Sequence, residues 1–429
     1  MSTKLSRIAE VASQRKSERF TSLAHLLDEE FLRQTWQTIN KKGVAGVDRV
    51  TIEEYESDLH GNIKELVTRL KTGKYQATPS LMVEIPKEGG TRNLSIPAVE
   101  DRLLQKGVSR ILEAIFEQDF QDCSYGFRPG LGPHKALKSL RQQIVANKTM
   151  WVYEVDIKGY FNNMNRDWLL KMLKERISDP VILRLISKWL RAGALRDGIL
   201  IVNRNGAPQG GPISCVLSNI YLHFVLDLWF KRCVKPRLKG QSKLVRFVDD
   251  FVICFEKFHD ATRVKEILGR RLGKFGLEIA PEKSKLICFG RFARERKERQ
   301  GEKTETFTFL GFKHVCGIDR SKRFCLVRIP NTKSCSKFLQ KTKAWLWKHM
   351  HFNVRQHQEK LRQMLLGFYN YFGLTHCCHK LSLVRRCVRR QWKRVLSRRS
   401  QKGPYKYWSF LAKQEWFQLP NPKVYHAKV

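Results

Sequence analysis

Apolar positions along the chain switch between two periods, and each switch marks a change of element. Short runs rich in β-branched and aromatic residues predict strands at SLMVEIP (80–86), MWVYEVDI (150–157), KLVRFVDDFVICF (243–255), KLICFG (285–290) and TFTFLGFKHV (306–315). In VEDRLLQKGVSRILEAIFEQDF the residues Leu103, Leu104, Val108, Ile111, Leu112 and Ile115 recur at the helical period, which predicts a helix. Residues 1 to about 75 read as charged helices interrupted by the glycine-rich turn GVAGVD (43–48). Residues 291–305, RFARERKERQGEKTE, read as a charged loop between two strands. The last quarter is helical throughout. Leu361, Met364, Leu365, Phe368 and Phe372 form one apolar stripe, and Val384, Val388, Trp392 and Val395 form another. Strands mixed with helices, then helices alone, predict an α+β fold. The expected boundaries are a helical extension (1–75), a mixed region (76–320), an all-helical region (321–400) and a short basic end segment (401–429) that would contact DNA.

Composition adds a partner. The 429 residues are 42% hydrophobic, which is enough for a sizeable core and argues against global disorder. The net charge is +41 and the isoelectric point about 10.1. A compact fold carrying such an excess repels itself, so an anionic partner is expected, nucleic acid first and anionic membrane second. No apolar run approaches the ~18 residues of a spanning helix, which argues against the membrane. The first twenty residues hold no secretory h-region, and the eleven cysteines show no CxxC pair, so reduced core thiols in the cytoplasm are expected. His376, Cys377, Cys378 and His379 lack zinc spacing. Between Ser321 and Val429 there are 25 Lys and Arg against two Glu and no Asp. More than half of the net charge therefore lies in a quarter of the chain. Arg385, Arg386, Arg389, Arg390, Lys393 and Arg394 fall largely outside the apolar stripe of their helix, where they would track phosphates.

Candidate chemistry sits inside the most apolar segment. LVRFVDDFVICF places Asp249 beside Asp250 between two strand-like runs, which reads as a hairpin with both acids at its tip. Adjacent carboxylates raise one another's pKa unless a cation lies between them. Oxygen-only donors suit Mg²⁺, with Mn²⁺ an alternative. MWVYEVDIKGYF ends another apolar run on Asp156. Three carboxylates on two neighbouring strand ends could hold two ions ~4 Å apart, the arrangement used for nucleotidyl transfer.

FVDD resembles the two-aspartate YxDD box of reverse transcriptases, with Phe247 where tyrosine is usual. IPKEGGTRNLSIPAVEDRLLQ, YGFRPGLGPHKAL, VDIKGYF, NGAPQGGPISCVLSNIYLH, GLEIAPEKSKL and FTFLGFKH follow in that family's order over roughly residues 43–315. SYGFRPG and APQGGPISCVLSNIYL are most similar to the bacterial group II intron branch. GFYNYF resembles that branch's thumb, or maturase domain, and EWFQLPNPKVYHAKV is similar to the end of its compact members. No HNH endonuclease segment is visible, so an endonuclease-lacking member is expected.

The resemblance implies a right-hand polymerase with fingers, an antiparallel palm sheet and an all-helical thumb. It implies that Asp156, Asp249 and Asp250 hold two Mg²⁺ ions, with Ile157 beside Asp156 among the metal contacts. Lys87 and Arg92, in a loop, would meet the triphosphate, with Gln209 and Lys285 also near the incoming dNTP. Phe161 would exclude a ribose 2′-hydroxyl. Asn162 stands where many relatives carry Asp, which puts one contact in doubt. Leu310 and Gly311 would form the primer grip, and Arg128 would bind nucleic acid. The partners implied are an RNA template, a DNA primer, dNTPs and a group II intron RNA, in the cytoplasm at the bacterial nucleoid. Two other roles fit the same residues: a splicing maturase that chiefly binds RNA, and a domesticated enzyme of DNA repair or phage defence.

Overall fold

The structure, a computed structural model, describes residues 3–87, 90–202, 205–207, 209–399, 417–427 and 429. Among the described residues eleven strands form three sheets. In chain order they are β1 (Ser80–Lys87), β2 (Gly90–Ile96), β3 (Trp151–Val155), β4 (Ala194–Arg196), β5 (Ile199–Ile201), β6 (Ser242–Phe247), β7 (Asp250–Phe255), β8 (Lys285–Cys288), β9 (Phe307–Phe309), β10 (Phe312–Ile318) and β11 (Phe324–Pro330). The central sheet runs β6-β7-β3-β8 and is antiparallel throughout. The first sheet, β2-β1-β4-β5, is mixed, because β4 runs parallel to β1. The third, β11-β10-β9, is an antiparallel meander.

Strand alternation gives the central sheet two buried faces. Tyr153, Val155, Leu244, Phe251, Ile253 and Phe255 face a core built round the helix Val99–Phe116 and the N-terminal helices. Val152, Val245, Val252, Cys254 and Ile287 face a second core. That core combines the helix Pro133–Ala146, the third sheet and the long helices Thr332–Lys348, Val354–Phe372 and Cys378–Ser397. Leu361, Leu365, Phe368 and Phe372 from one predicted stripe, and Val384, Val388, Trp392 and Val395 from the other, are all buried in it. Residues of the chain end fold back on this unit: the Tyr425 amide donates to the Gly373 carbonyl, and Arg385 donates to the Leu419 carbonyl.

Three local expectations are corrected, and one hairpin was not among the expected strands. Residues Arg291–Arg299 are a helix and not a loop, because Arg291–Glu295 and Arg294–Glu298 are ion pairs at i,i+4, the spacing that supports a surface helix. TRNLSIP is not a loop but strand β2, paired along the whole of β1, so Lys87 and Arg92 stand on strands. The short β4–β5 hairpin carries too few residues to show a period. The helical region begins at Thr332, after β11, whose Leu326, Arg328 and Pro330 alternate inward.

Candidate active site

Alternation and register together bring the acids to one place. In β3, Val152 faces the second core, so Glu154 and Asp156 lie on that same side; in β7, Val252 and Cys254 do so, and Asp250 shares their side. Val155 is opposite Phe251, so Asp156, one residue on, is level with Asp250. Phe247 pairs with Asp250, which leaves Val248 and Asp249 as a two-residue turn. Val248 sits at φ +60°, a left-handed conformation that a β-branched residue adopts at a cost of about 1–3 kcal/mol. The tight turn is what lets two adjacent acids share one end of the sheet.

The electrostatics match that convergence. Burial, then the neighbouring Asp249, push the Asp250 carboxyl up to about 7; the Leu310 amide opposes this, while Glu154 and Asp156 add to it. Asp156 Oδ2 lies 3.5 Å from Lys283 Nζ. The donors are carboxylate oxygens in mutual repulsion, which fits a hard divalent ion. Among the described residues no three His, Cys, Asp or Glu side chains gather round one point. The site thus offers oxygen donors on two strand ends and not a closed cage. The Ile157 side chain is buried, which leaves only its backbone carbonyl to offer.

Further motifs support the tip from behind. An ideal Cβ on Gly126, in SYGFRPG, would lie 2.7 Å from Val248 N and 2.5 Å from its Cγ2, so this turn requires glycine there. Leu310 (φ +51°) and Gly311 (φ +77°) form a two-residue turn between β9 and β10, with the Leu310 amide reaching Asp250. Tyr371 Oη donates to the Leu310 carbonyl at 3.0 Å, which fixes this turn to the helix Val354–Phe372. Phe161 is half-buried in the short helix Tyr160–Asn163, edge-on to Tyr160 at 5.2 Å. The Gln209 carbonyl accepts from the Ser95 amide at 2.7 Å, so its loop is tied to β2. Gln209, Asn93, Asn162 and Arg166 line a cleft of about 380 Å³ between the first sheet and the helices that carry Asn162, Arg166 and Leu190.

Some predicted contacts have other uses. Arg128 has intramolecular partners: its guanidinium is held by Glu117 at 2.8 Å and by the Gln121 and Ser124 carbonyls, with the side chain 8% exposed, so it braces the SYGFRPG loop. Lys285 donates to the Thr306 carbonyl at 2.9 Å and approaches Glu154 at 3.7 Å, joining the central and third sheets. Lys283, two residues earlier, is the cation that faces Asp156. Its place in PEKSK was visible, but nothing there separated it from Lys285. Arg92 is exposed on β2, and the Lys87 side chain lies outside the described residues. On the last helix Arg386, Arg390 and Arg394 make an exposed stripe at i,i+4,i+8, while Arg385, Arg389 and Lys393 are half-buried. Of the predicted end segment, 401–416 and 428 lie outside the described residues.

Comparisons with known proteins point the same way. A sequence profile described as reverse transcriptase (RNA-dependent DNA polymerase) matches residues 85–314. Protein YkfC of Escherichia coli strain K12 is 35% identical over 344 residues, covering 72% of this chain and 87% of the relative. The group II intron-encoded protein LtrA of Lactococcus lactis subsp. cremoris is 34% identical over 234 residues, which is 53% of this chain and 39% of LtrA. Nuclear intron maturase 3, mitochondrial, of Arabidopsis thaliana is 26% identical over 182 residues, or 42% of this chain and 24% of the relative.

Proposed function

The chain belongs to the reverse transcriptase family, in its group II intron branch, and from that premise we propose that it extends a DNA primer on an RNA template by adding dNTPs. The observation that carries this reading is the placement of Asp156 level with Asp250 at one end of the central sheet, with Asp249 in the adjoining turn. The central sheet is then the palm, the first sheet the fingers, and the helices from Thr332 the thumb.

In the reaction the primer 3′-oxygen attacks the α-phosphorus of the dNTP, and pyrophosphate leaves. Asp156, Asp249 and Asp250 present oxygens that would hold a divalent pair, Mg²⁺ or Mn²⁺, with the Ile157 carbonyl beside them. That pair would lower the pKa of the 3′-hydroxyl and neutralise charge on the leaving group. The chain's own part is positioning and fixed electrostatics. Arg92 and Lys87, on paired strands, meet the triphosphate from the fingers side, with Gln209 across the cleft. Phe161 excludes a 2′-hydroxyl by bulk. The Leu310–Gly311 turn, tied to Asp250, seats the primer end against the acids. Arg386, Arg390 and Arg394 follow the duplex backbone, and the same basic helices support binding of an intron RNA. Lys285 acts through the sheet junction that it bridges.

The test is Asp249→Ala. Primer extension with Mg²⁺ should vanish while duplex affinity stays within about twofold, since no phosphate-binding cation is lost. Extension at the parent rate would overturn the assignment.

A further inference from the structure

We infer that Arg246 is a positioning residue for the catalytic hairpin, and that its buried pair with Asp227 sets the conformation of the Val248–Asp249 turn. This rests on the polymerase reading above. Arg246 stands in β6, two residues before Val248, and is 0% exposed. Its guanidinium forks in two directions. Nε and Nη2 donate to Asp227 Oδ1 at 2.8 Å and Oδ2 at 2.6 Å. Nη1 donates to the Val248 carbonyl at 2.9 Å and to Asn219 Oδ1 at 3.2 Å. Asn219 in turn donates to the Gly126 carbonyl at 2.8 Å, the glycine whose missing side chain admits Val248.

The helix beneath is shaped for this contact. The Leu228 amide reaches the His223 carbonyl five residues back, a widened turn of a kind frequent at functional sites, and Asp227 lies inside it. Asp227 is 1% exposed. A buried ion pair is seldom more stable than an apolar pair of the same volume, so stability alone does not account for it. A rigid planar fork does something an apolar pair cannot: it fixes the distance between the helix and the carbonyl of a left-handed valine. Asp249 and Asp250 follow Val248 directly in the chain, so the fork determines where their carboxylates stand. Lysine has three donors but on a single nitrogen, so it cannot reproduce the spaced fork by which separate nitrogens reach Asp227 and the Val248 carbonyl.

The experiment compares the parent with the double variant Asp227→Leu/Arg246→Met and with Arg246→Lys. The double variant removes both charges together but takes a donor from the Val248 carbonyl and Asn219 Oδ1, so it should fold with a melting temperature below the parent's. Its kcat for primer extension should fall by about a hundredfold, the scale of a misplacement near 1 Å, with KM for dNTP and the duplex Kd little changed. Hydrogen exchange in the peptide spanning residues 244–255 should accelerate, without acceleration in the helix Val99–Phe116. Arg246→Lys should show the same two effects more weakly. A folded double variant with the parent's kcat and the parent's exchange at the tip would overturn the inference, as would a lysine variant unchanged in both if the double variant does not fold. Absence of extension by the parent itself would defeat the polymerase reading, and tip exchange would still decide the role of Arg246.

Discussion

Six described residues other than glycine hold positive φ, and two of them, Val248 and Leu310, border the acids. Val248 and Leu310 have positive φ, at +60° and +51°, each at the first position of a two-residue hairpin turn. Strain of this kind persists only where surrounding contacts over-determine it. For Val248 those contacts include Gly126, which leaves no room for a methyl group. Gly126→Ala should push the turn outward, at about 1–3 kcal/mol of stability, as overpacking typically costs. Its effect on extension should exceed its effect on folding: kcat should fall by about tenfold or more while the protein remains folded at 25 °C. Extension kinetics set beside a thermal melt check this, and an unchanged kcat would mean that the turn tolerates the shift. The glycine was legible in SYGFRPG, but its purpose was not, because Val248 is more than a hundred residues away.

Elements in this fold are joined by single buried side chains as much as by apolar faces. Asp179 begins the helix Pro180–Arg191, capping the Val181 and Ile182 amides at 2.8 and 3.1 Å. Its other oxygen accepts from the Leu23 and Ala24 amides at 2.6 and 2.8 Å, which ties the N-terminal layer to that helix. Burial pushes its pKa up, and the amides of Leu23, Ala24, Ile182 and Val181 outweigh that and hold it below the usual carboxylate value. Asp179→Ala would leave four buried amides without an acceptor and should cost about 3 kcal/mol, read as a lower urea midpoint. Protease cleavage within residues 3–23 should rise with it; a variant as stable as the parent would show that water replaces the carboxylate. The carboxylate's second set of partners lies 156 residues away in the chain, at Leu23, where no local motif shows it. The helix Arg291–Arg299 teaches the converse. Its charges at i,i+4 were in view and were taken for a loop because no apolar stripe accompanied them.

At the scale of the molecule, the two cores on either side of the central sheet respond to pH through buried histidines. Burial, opposed by Asp227, lowers His223 to about 4, and burial with nearby Arg328 lowers His314 to about 3. Both are neutral in the folded state at pH 6, while the unfolded chain begins to take up protons near 6.5. The histidine contribution is therefore full above pH 6.5 and is lost as pH falls towards 4 and then 3, by up to about 1.4 kcal/mol per pH unit for each histidine. Asp250, raised to about 7, and Asp101, raised to about 6, act in the opposite sense over the same range, so the parent is set against His314→Gln: its urea midpoint should fall relative to the variant's as pH goes from 7 to 5. A difference that does not vary between pH 7 and 5 would show that the His314 imidazole is not desolvated as placed. No helix among the described residues is long and apolar enough to cross a membrane.

The sequence by itself determined what depends on neighbours in the chain. Apolar runs placed Asp156 at a strand end, FVDD marked a hairpin, and helical periods marked the stripes that bury Leu361 and Trp392. The order of motifs likewise identified the family. Tertiary structure alone decided how each charge is used. Lys283 faces Asp156 while Lys285 bridges two sheets; Arg128 is held by Glu117; Arg246 is buried against Asp227. The reason is physical. A charged residue type announces a capacity, but its energy and role are set by the partner and the local dielectric. Both are supplied here by segments that meet only when the chain is folded.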